Sequence, residues 1–217
     1  DHTFLMKRNP IVAIDGPAGA GKSTVTKGFA NRLGLTYLDT GAMYRAVTWL
    51  IQEKSIDPKN HLAVQTILDE LDLNLKNSQN GIQKVLVNNC DVTEAIRSPE
   101  VTRFVSHVAA EQPIREFLTT QQQKMGELGG LVAEGRDIGT TVFPDADLKI
   151  FLTASANERA KRRLKDLRKQ GFHSIGIDKL EQEINDRDQM DSARKISPLI
   201  KADDSIELIT DGMNIEE

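Results

Sequence analysis

Gly16-Pro17-Ala18-Gly19-Ala20-Gly21-Lys22-Ser23 satisfies the pattern G-x-x-x-x-G-K-[ST] in full. The chemistry this pattern serves is the cradling of a polyphosphate. Glycines let the backbone N–H groups approach phosphate oxygens closely, and the start of the following helix adds partial positive charge. Lys22 is expected to reach the β- and γ-phosphates, and the Ser23 hydroxyl to ligate Mg²⁺. Contacts to a nucleotide's phosphates, those of ATP in a kinase reading, are therefore expected from Gly16, Pro17, Ala18, Gly19, Ala20, Gly21, Lys22, Ser23 and Thr24. Chance produces the pattern in roughly 1% of chains this long, so coincidence is the weaker explanation.

A phosphate loop alone does not separate a kinase from a GTPase switch or an ATPase motor. No Asn-Lys-x-Asp segment of the kind that reads guanine occurs, which weakens the GTPase reading. A kinase acting on a nucleoside monophosphate must grip an acceptor phosphate and cover the transferring group with positive charge, and guanidinium forks do both. Arg45, Arg115, Arg136, Arg187 and Arg194 are candidates. Most arginines are ordinary surface groups. Arg136 differs because it directly follows an expected core strand, at the end where ligands collect in such sheets. Arg187, Asp191 and Arg194 are spaced by four and three, which lines them along one helix face, either as a salt-bridge ladder or as a carboxylate between two phosphate-binding arginines.

From Asn157 to Gln170, Arg159, Lys161, Arg162, Arg163, Lys165, Arg168 and Lys169 outnumber Glu158 and Asp166, giving +5 locally on a chain of net charge −4. A solvated helix face explains most of these charges. The same segment also suits a lid that excludes water over ATP.

The elements that would position these groups alternate. Ile11-Val12-Ala13-Ile14 reads as a buried strand, Lys22 to Leu33 as a helix with Val25, Phe29, Ala30 and Leu33 inward, and Gly34 as its stop. Thr36-Tyr37-Leu38 leads through Asp39-Thr40-Gly41 into a helix carrying Met43, Val47, Leu50 and Ile51. Leu131-Val132-Ala133, Leu148 to Leu152 and Ile206 to Ile209 read as further strands. Strands alternating with helices imply an α/β fold with a parallel sheet. Leu71, Leu73 and Leu75 break the alternation with period two, and Asn80-Gly81 is a turn signal joining them to Ile82–Val87 as a hairpin. The expected organisation is a core over 9–57 and 98–217, an insert at about 58–97, and a lid within about 157–187.

The 32 acidic and 28 basic side chains argue against a surface built throughout for nucleic acid. No stretch approaches the roughly 20 apolar residues of a membrane helix. Neither nucleic acid nor membrane is expected as a partner. The single cysteine, Cys90, excludes an internal disulfide and fits a reducing, cytoplasmic interior. His2, His61, His107 and His173 show no metal-ligand spacing. Residues 1–8 read as a leader, tag or linker remnant. Asp211 to Glu217 reads as a turn, a cap and the acidic first turn of a helix, so both ends look cut and a longer intact protein is expected.

Four segments together resemble bacterial cytidylate kinases of the P-loop nucleoside monophosphate kinase family. They are Ile14-Asp15-Gly16-Pro17, Leu38-Asp39-Thr40-Gly41-Ala42-Met43-Tyr44-Arg45, Glu134-Gly135-Arg136-Asp137-Ile138-Gly139-Thr140, and Arg187-Asp188 with Asp191 and Arg194. The resemblance implies a P-loop NTPase-type, five-stranded parallel sheet flanked by helices, with a lid and an enlarged monophosphate-binding insert. It implies Mg²⁺-dependent transfer from ATP to CMP or dCMP in pyrimidine nucleotide metabolism. Ser106, Arg115 and Asp137 would surround the cytosine, and Tyr44, Arg187 and Asp191 would serve the sugar. Arg45, Arg136 and Arg194 would hold the acceptor phosphate, with Arg159 and Arg163 in the lid. Thr40, also expected at the substrate, stands where some relatives have serine. Asp1-His2-Thr3-Phe4-Leu5 resembles the tail of pantoate–β-alanine ligase, which implies a fused upstream domain.

Cytosine offers an amino donor at C4 and acceptors at N3 and O2, which a carboxylate and an arginine match; uracil reverses the pattern at C4 and N3. Direct in-line transfer without a covalent intermediate is expected, with Lys22, Mg²⁺ and the arginines, Arg136, Arg159, Arg163 and Arg194 among them, neutralising charge. Asp15 and Glu134 are the candidates to hold a metal-bound water. Three other readings stay open on the residues alone: a kinase for another small acceptor, a nucleotide-dependent switch, and an RNA-binding surface on the basic helix.

Overall fold

β1 (Ile11–Asp15) is buried at every position, as an unbroken apolar run requires when both faces of a strand are covered. α1 (Lys22–Leu33) follows, and Gly34 ends it by donating to the Ala30 and Asn31 carbonyls. Ala30 is buried, with Val25 and Phe29 packed against the same cluster, as expected; Leu33, also expected inward, is exposed, and Thr26 is buried in addition. β2 (Thr36–Asp39) runs straight into α2 (Thr40–Glu53), whose first turn is capped by the Asp39 carboxylate accepting from Ala42 N at 3.0 Å. The computed structural model describes residues 9–217 apart from 79 and 80. The leader and Asn80 of the expected hairpin turn therefore lie outside the described residues.

α3 (His61–Asp69) opens the excursion, and β3 (Leu73–Asn77) pairs antiparallel with β4 (Gln83–Val87), Leu75 opposite Val85. A third, two-residue strand, β5 (Cys90–Asp91), was not anticipated. It folds back through Asn88 and Asn89, both at positive φ (49° and 66°), where asparagine is tolerated better than most residues. These segments do not stand apart from the core. Val64 and Leu68 join the cluster of Met43, Val47 and Ile114, while Val85, Val87, Val92 and Ile96 bury against Ala42, Ala46 and Leu50 of α2.

α4 (Pro99–Ala109) and α5 (Gln112–Met125) return the chain to β6 (Leu131–Gly135), and a π-turn over Ile138–Val142 precedes β7 (Leu148–Thr153). α6 (Ala156–Lys169) and α7 (Ile177–Ala193) pack together through Ala160, Leu167 and Leu180 before β8 (Ile206–Ile209). Arg194 thus stands one residue beyond the helix expected to carry it. Pro198 disfavours helical backbone at the residue before it, and Ser197 takes a positive φ (48°), so the helix stops short of both.

Five strands form one parallel sheet in the order β2-β6-β1-β7-β8. Asp15 lies opposite Gly135 and Asp39 opposite Glu134, so the carboxyl ends of the neighbouring strands β2, β6 and β1 open at one place. Among the described residues no helix is long and apolar enough to cross a membrane.

Candidate active site

The glycine loop leaves β1 where ligands bind in open parallel sheets. A Cβ built on Gly16 would lie 1.9 Å from the Leu152 carbonyl oxygen, so no side chain fits there. Gly19 (φ 75°) and Gly21 (φ 82°) take the left-handed conformation that glycine adopts without strain. Lys22, buried at the head of α1, turns back so that Nζ donates to Pro17 O at 2.8 Å. Burial, with Arg136 and then Arg187 nearby, pulls its pKa down to about 7, against the opposing pull of Glu134 and Asp15.

Two carboxylates were candidates to hold a metal-bound water, and the structure distinguishes them. Asp15 accepts from the N–H groups of Ile138 and Gly139 at 2.9 and 2.8 Å and so anchors the π-turn. Burial still raises its pKa to about 6. Glu134 uses only one oxygen: Ser23 Oγ donates to Oε1 at 2.8 Å, and the Tyr37 hydroxyl donates to the same atom. Oε2 is buried without a partner among the described residues. Burial, reinforced by Asp39, holds the Glu134 carboxyl above its ordinary range. A serine that gives its proton to Glu134 keeps its oxygen lone pairs for a cation. The adjoining orphan carboxylate oxygen suits an ion-bound water, so the residues present fit Mg²⁺. Among the described residues no group of three or more His, Cys, Asp or Glu could hold a metal ion; an ion here would rely on phosphate and water, as Mg²⁺ commonly does.

Beside the cradle lies a pocket lined by Thr40, Tyr44, Ser106, Arg115, Arg136, Asp137, Arg187, Asp191 and Arg194, together with Gly41, Val105, Ala109 and Gly135. Nine of the ten residues expected at the substrate therefore converge. At one end Arg115 Nη2 donates to Asp137 Oδ2 at 2.7 Å, with both side chains buried, and Arg115 lies over the Tyr44 ring at 4.9 Å. Arg115 Nη1 is held by Ala109 O at 2.8 Å while Nε has no partner. Elsewhere Asp191 accepts from Arg136 Nε at 3.2 Å and Arg194 Nη1 at 3.4 Å. One carboxylate thus spaces two guanidinium groups. Arg187 Nε is buried with no partner among the described residues, and burial with neighbouring Arg136 lowers the Arg187 pKa to about 10. Such crowding of cations is costly unless an anion is to be received.

Arg45, the tenth, does not line the pocket. Its Nη1 donates to Ile96 O at 3.1 Å and Thr102 Oγ1 at 2.8 Å. Burial and the charges of Arg187 and Arg97 lower its pKa to about 9, so it adds positive potential from the rim. Arg159 is engaged otherwise than a mobile surface residue would be. It is buried, donates to Ala18 O at 3.1 Å, and forks onto Asp188 at 3.0 and 2.6 Å. Arg162 reaches Ala20 O and Thr210 O. Arg163 contributes charge at Arg187. Sequence reasoning missed Val105 and Ala109, one residue before and three after Ser106 on α4, which helical spacing could have supplied. It also missed the Arg97–Asp39 pair at 3.3 Å, for which no local signal exists.

A phosphate cradle on the central strand of a parallel sheet, facing an arginine-lined pocket, defines a phosphotransferase of the P-loop kinase class. Comparison with known proteins narrows the class: residues 12–217 match the Cytidylate kinase family, and the chain belongs to that family. It is 66% identical over 217 residues to the bifunctional pantoate ligase/cytidylate kinase of Prochlorococcus marinus, covering 100% of this chain and 42% of that protein. A protein of the same name from Synechococcus sp. is 60% identical over 216 residues, covering 100% of this chain and 45% of its own length. The chain spans less than half the length of these curated relatives. A shikimate kinase from Bacteroides thetaiotaomicron superposes with a TM-score of 0.39 at 14% identity, over 82% of this chain and 77% of that one, a likeness too loose to bear on activity.

Proposed function

We propose that this chain transfers the γ-phosphoryl group of ATP to CMP or dCMP, giving ADP and CDP or dCDP, in a Mg²⁺-dependent in-line reaction. The observation that carries the reading is geometric. Glu134 and Gly135 end β6 and Arg136 follows them; Glu134 accepts from Ser23 of the cradle, while Gly135 and Arg136 line the pocket. The two phosphate sites therefore adjoin.

The loop backbone and Lys22 bind the β- and γ-phosphates, with Thr24 following in the first turn of α1. Ser23 and Glu134 would hold the metal, Ser23 directly and Glu134 through water; when bound, Mg²⁺ neutralises phosphate charge. Arg136 and Arg194, spaced by Asp191, grip the acceptor phosphate, with Arg45 adding charge from the rim. Arg187, Asp191 and Tyr44 serve the sugar. Asp137, oriented by Arg115, accepts from the cytosine amino group through its remaining oxygen, while Arg115 and Ser106 face the ring. Arg159 fixes the cradle to α6, and Arg163 adds charge on the same helix, which acts with α7 as a lid excluding water. An acceptor phosphate oxygen is nucleophilic enough that no general base is required of the protein.

Coupled measurement of ADP formation with CMP, dCMP, UMP, AMP and no acceptor tests this reading. Turnover is expected with CMP and dCMP well above the others, and equal turnover with no acceptor would leave only an ATPase or a switch. The lone exposed Cys90 supports a reducing, cytoplasmic setting. The relatives' names support a covalently joined pantoate ligase domain, which would make the native polypeptide more than twice as long as this chain. The mass of the native protein tests that.

A further inference from the structure

We propose that Tyr37 is a positioning residue for the metal site: its hydroxyl helps to lock the Glu134 oxygen that Ser23 of the cradle also holds, and so leaves the other oxygen free to receive an ion-bound water. The inference rests on the kinase reading above and extends it to a residue outside both the cradle and the acceptor pocket.

Glu134 Oε1 receives two hydrogen bonds, from Ser23 Oγ and from the Tyr37 hydroxyl, while Oε2 receives none from the described residues although Glu134 is only 3% exposed. A buried carboxylate with four lone-pair sites normally shares its donors between its oxygens. Concentrating both on Oε1 fixes the rotation of the group and leaves Oε2 as a single aimed acceptor. Tyr37 is itself held from several sides. Its strand pairs with β6, its carbonyl accepts from Gln83 Nε2 at 3.1 Å, and Lys27 lies over its ring at 5.7 Å. Removing the Tyr37 hydroxyl would leave Ser23 as the only side-chain donor to Glu134 among the described residues, and Ser23 is the residue expected to ligate the ion.

The test separates a positioning role from a structural one. Affinity for a non-hydrolysable ATP analogue is measured by calorimetry on this chain with Mg²⁺ and with excess chelator, and the ratio of the two is the metal-dependent increment. Tyr37→Phe should cut that increment by about 10-fold, the usual scale for losing an outer partner of a metal ligand. Metal-free affinity should stay within about twofold. Tyr37→His, which restores a ring N–H donor, should recover part of the increment. Mn²⁺ titration followed by electron paramagnetic resonance gives the same comparison without calorimetry. Tyr37→Leu replaces Tyr37→Phe should the latter not fold. An unchanged increment, or an equal loss with and without metal, overturns the role of Tyr37. A wild-type increment that Ser23→Ala leaves intact overturns instead the metal site on which the inference rests.

Discussion

Lys22 is the group whose state should change most when the cradle fills. Free, its pKa stands at about 7, because burial and the nearby Arg136 and Arg187 disfavour the ammonium. The β- and γ-phosphates of ATP supply the opposite charge and should restore a pKa near the ordinary lysine range. Proton uptake on binding then follows from the free state alone. Near pH 6 Lys22 is already about nine-tenths protonated, so uptake is about 0.1 proton; near pH 8 it is about one-tenth protonated, and uptake is about 0.9. Because a lowered lysine pKa penalises the charged form, ATP affinity should fall nearly tenfold per pH unit above about pH 7. Titration of MgATP by calorimetry in two buffers of different ionisation enthalpy reads the uptake directly. Lys22→Met should abolish it. Arg136→Met, which removes a cation from the gap, should raise the Lys22 pKa and move the midpoint upward. Uptake that is flat across this range, or unaltered in Lys22→Met, would refute the electrostatic link between cradle and pocket.

Two substitutions test the pocket itself. Asp137→Asn replaces an acceptor by a group that can also donate, so the preference for CMP over UMP should erode by about 100-fold or more, as expected when a site built for particular hydrogen bonds loses one; an unchanged ratio removes Asp137 from base reading. Asp191→Asn leaves Arg136 and Arg194 without their shared carboxylate and should destabilise the free protein by about 3 kcal/mol, or about 6–12 °C in melting temperature. Added CMP should restore more stability to this variant than inorganic salt does, and a melting temperature unchanged from wild type would contradict the cation-crowding account.

Local sequence carried much of this architecture. The run Ile11–Ile14 and the glycine loop after it are contiguous, so both strand and cradle could be read without knowing what lies beside them. The alternation of Leu71, Leu73 and Leu75 likewise identified β3 within its own span. What escaped notice depends on neighbours remote in the chain. Tyr37 reads as an ordinary strand residue until parallel pairing brings β2 beside β6 and its phenol to Glu134, 97 residues away. Asp15 looked free to serve a metal until the π-turn closed on it, and Arg97 reaches Asp39 across 58 residues. Arg194 left its helix because Pro198 follows, a local cue that four-and-three spacing outweighed. Arg45 shows the limit of reasoning from residue type, since its guanidinium is tied to Ile96 and Thr102 at the rim.

The central claim is that cradle and pocket face each other across one gap wide enough for a phosphate chain. Binding of adenosine and cytidine joined through five phosphates tests it most directly, because one molecule must span both sites. The account predicts affinity exceeding that of ATP or CMP by a factor of about 100 or more, the scale of linked binding when geometry permits both contacts. It also predicts that Lys22→Met and Arg194→Met each lose most of that gain. Affinity no greater than that of ATP alone, unaffected by Arg194→Met, would mean that the two phosphate sites do not share a gap.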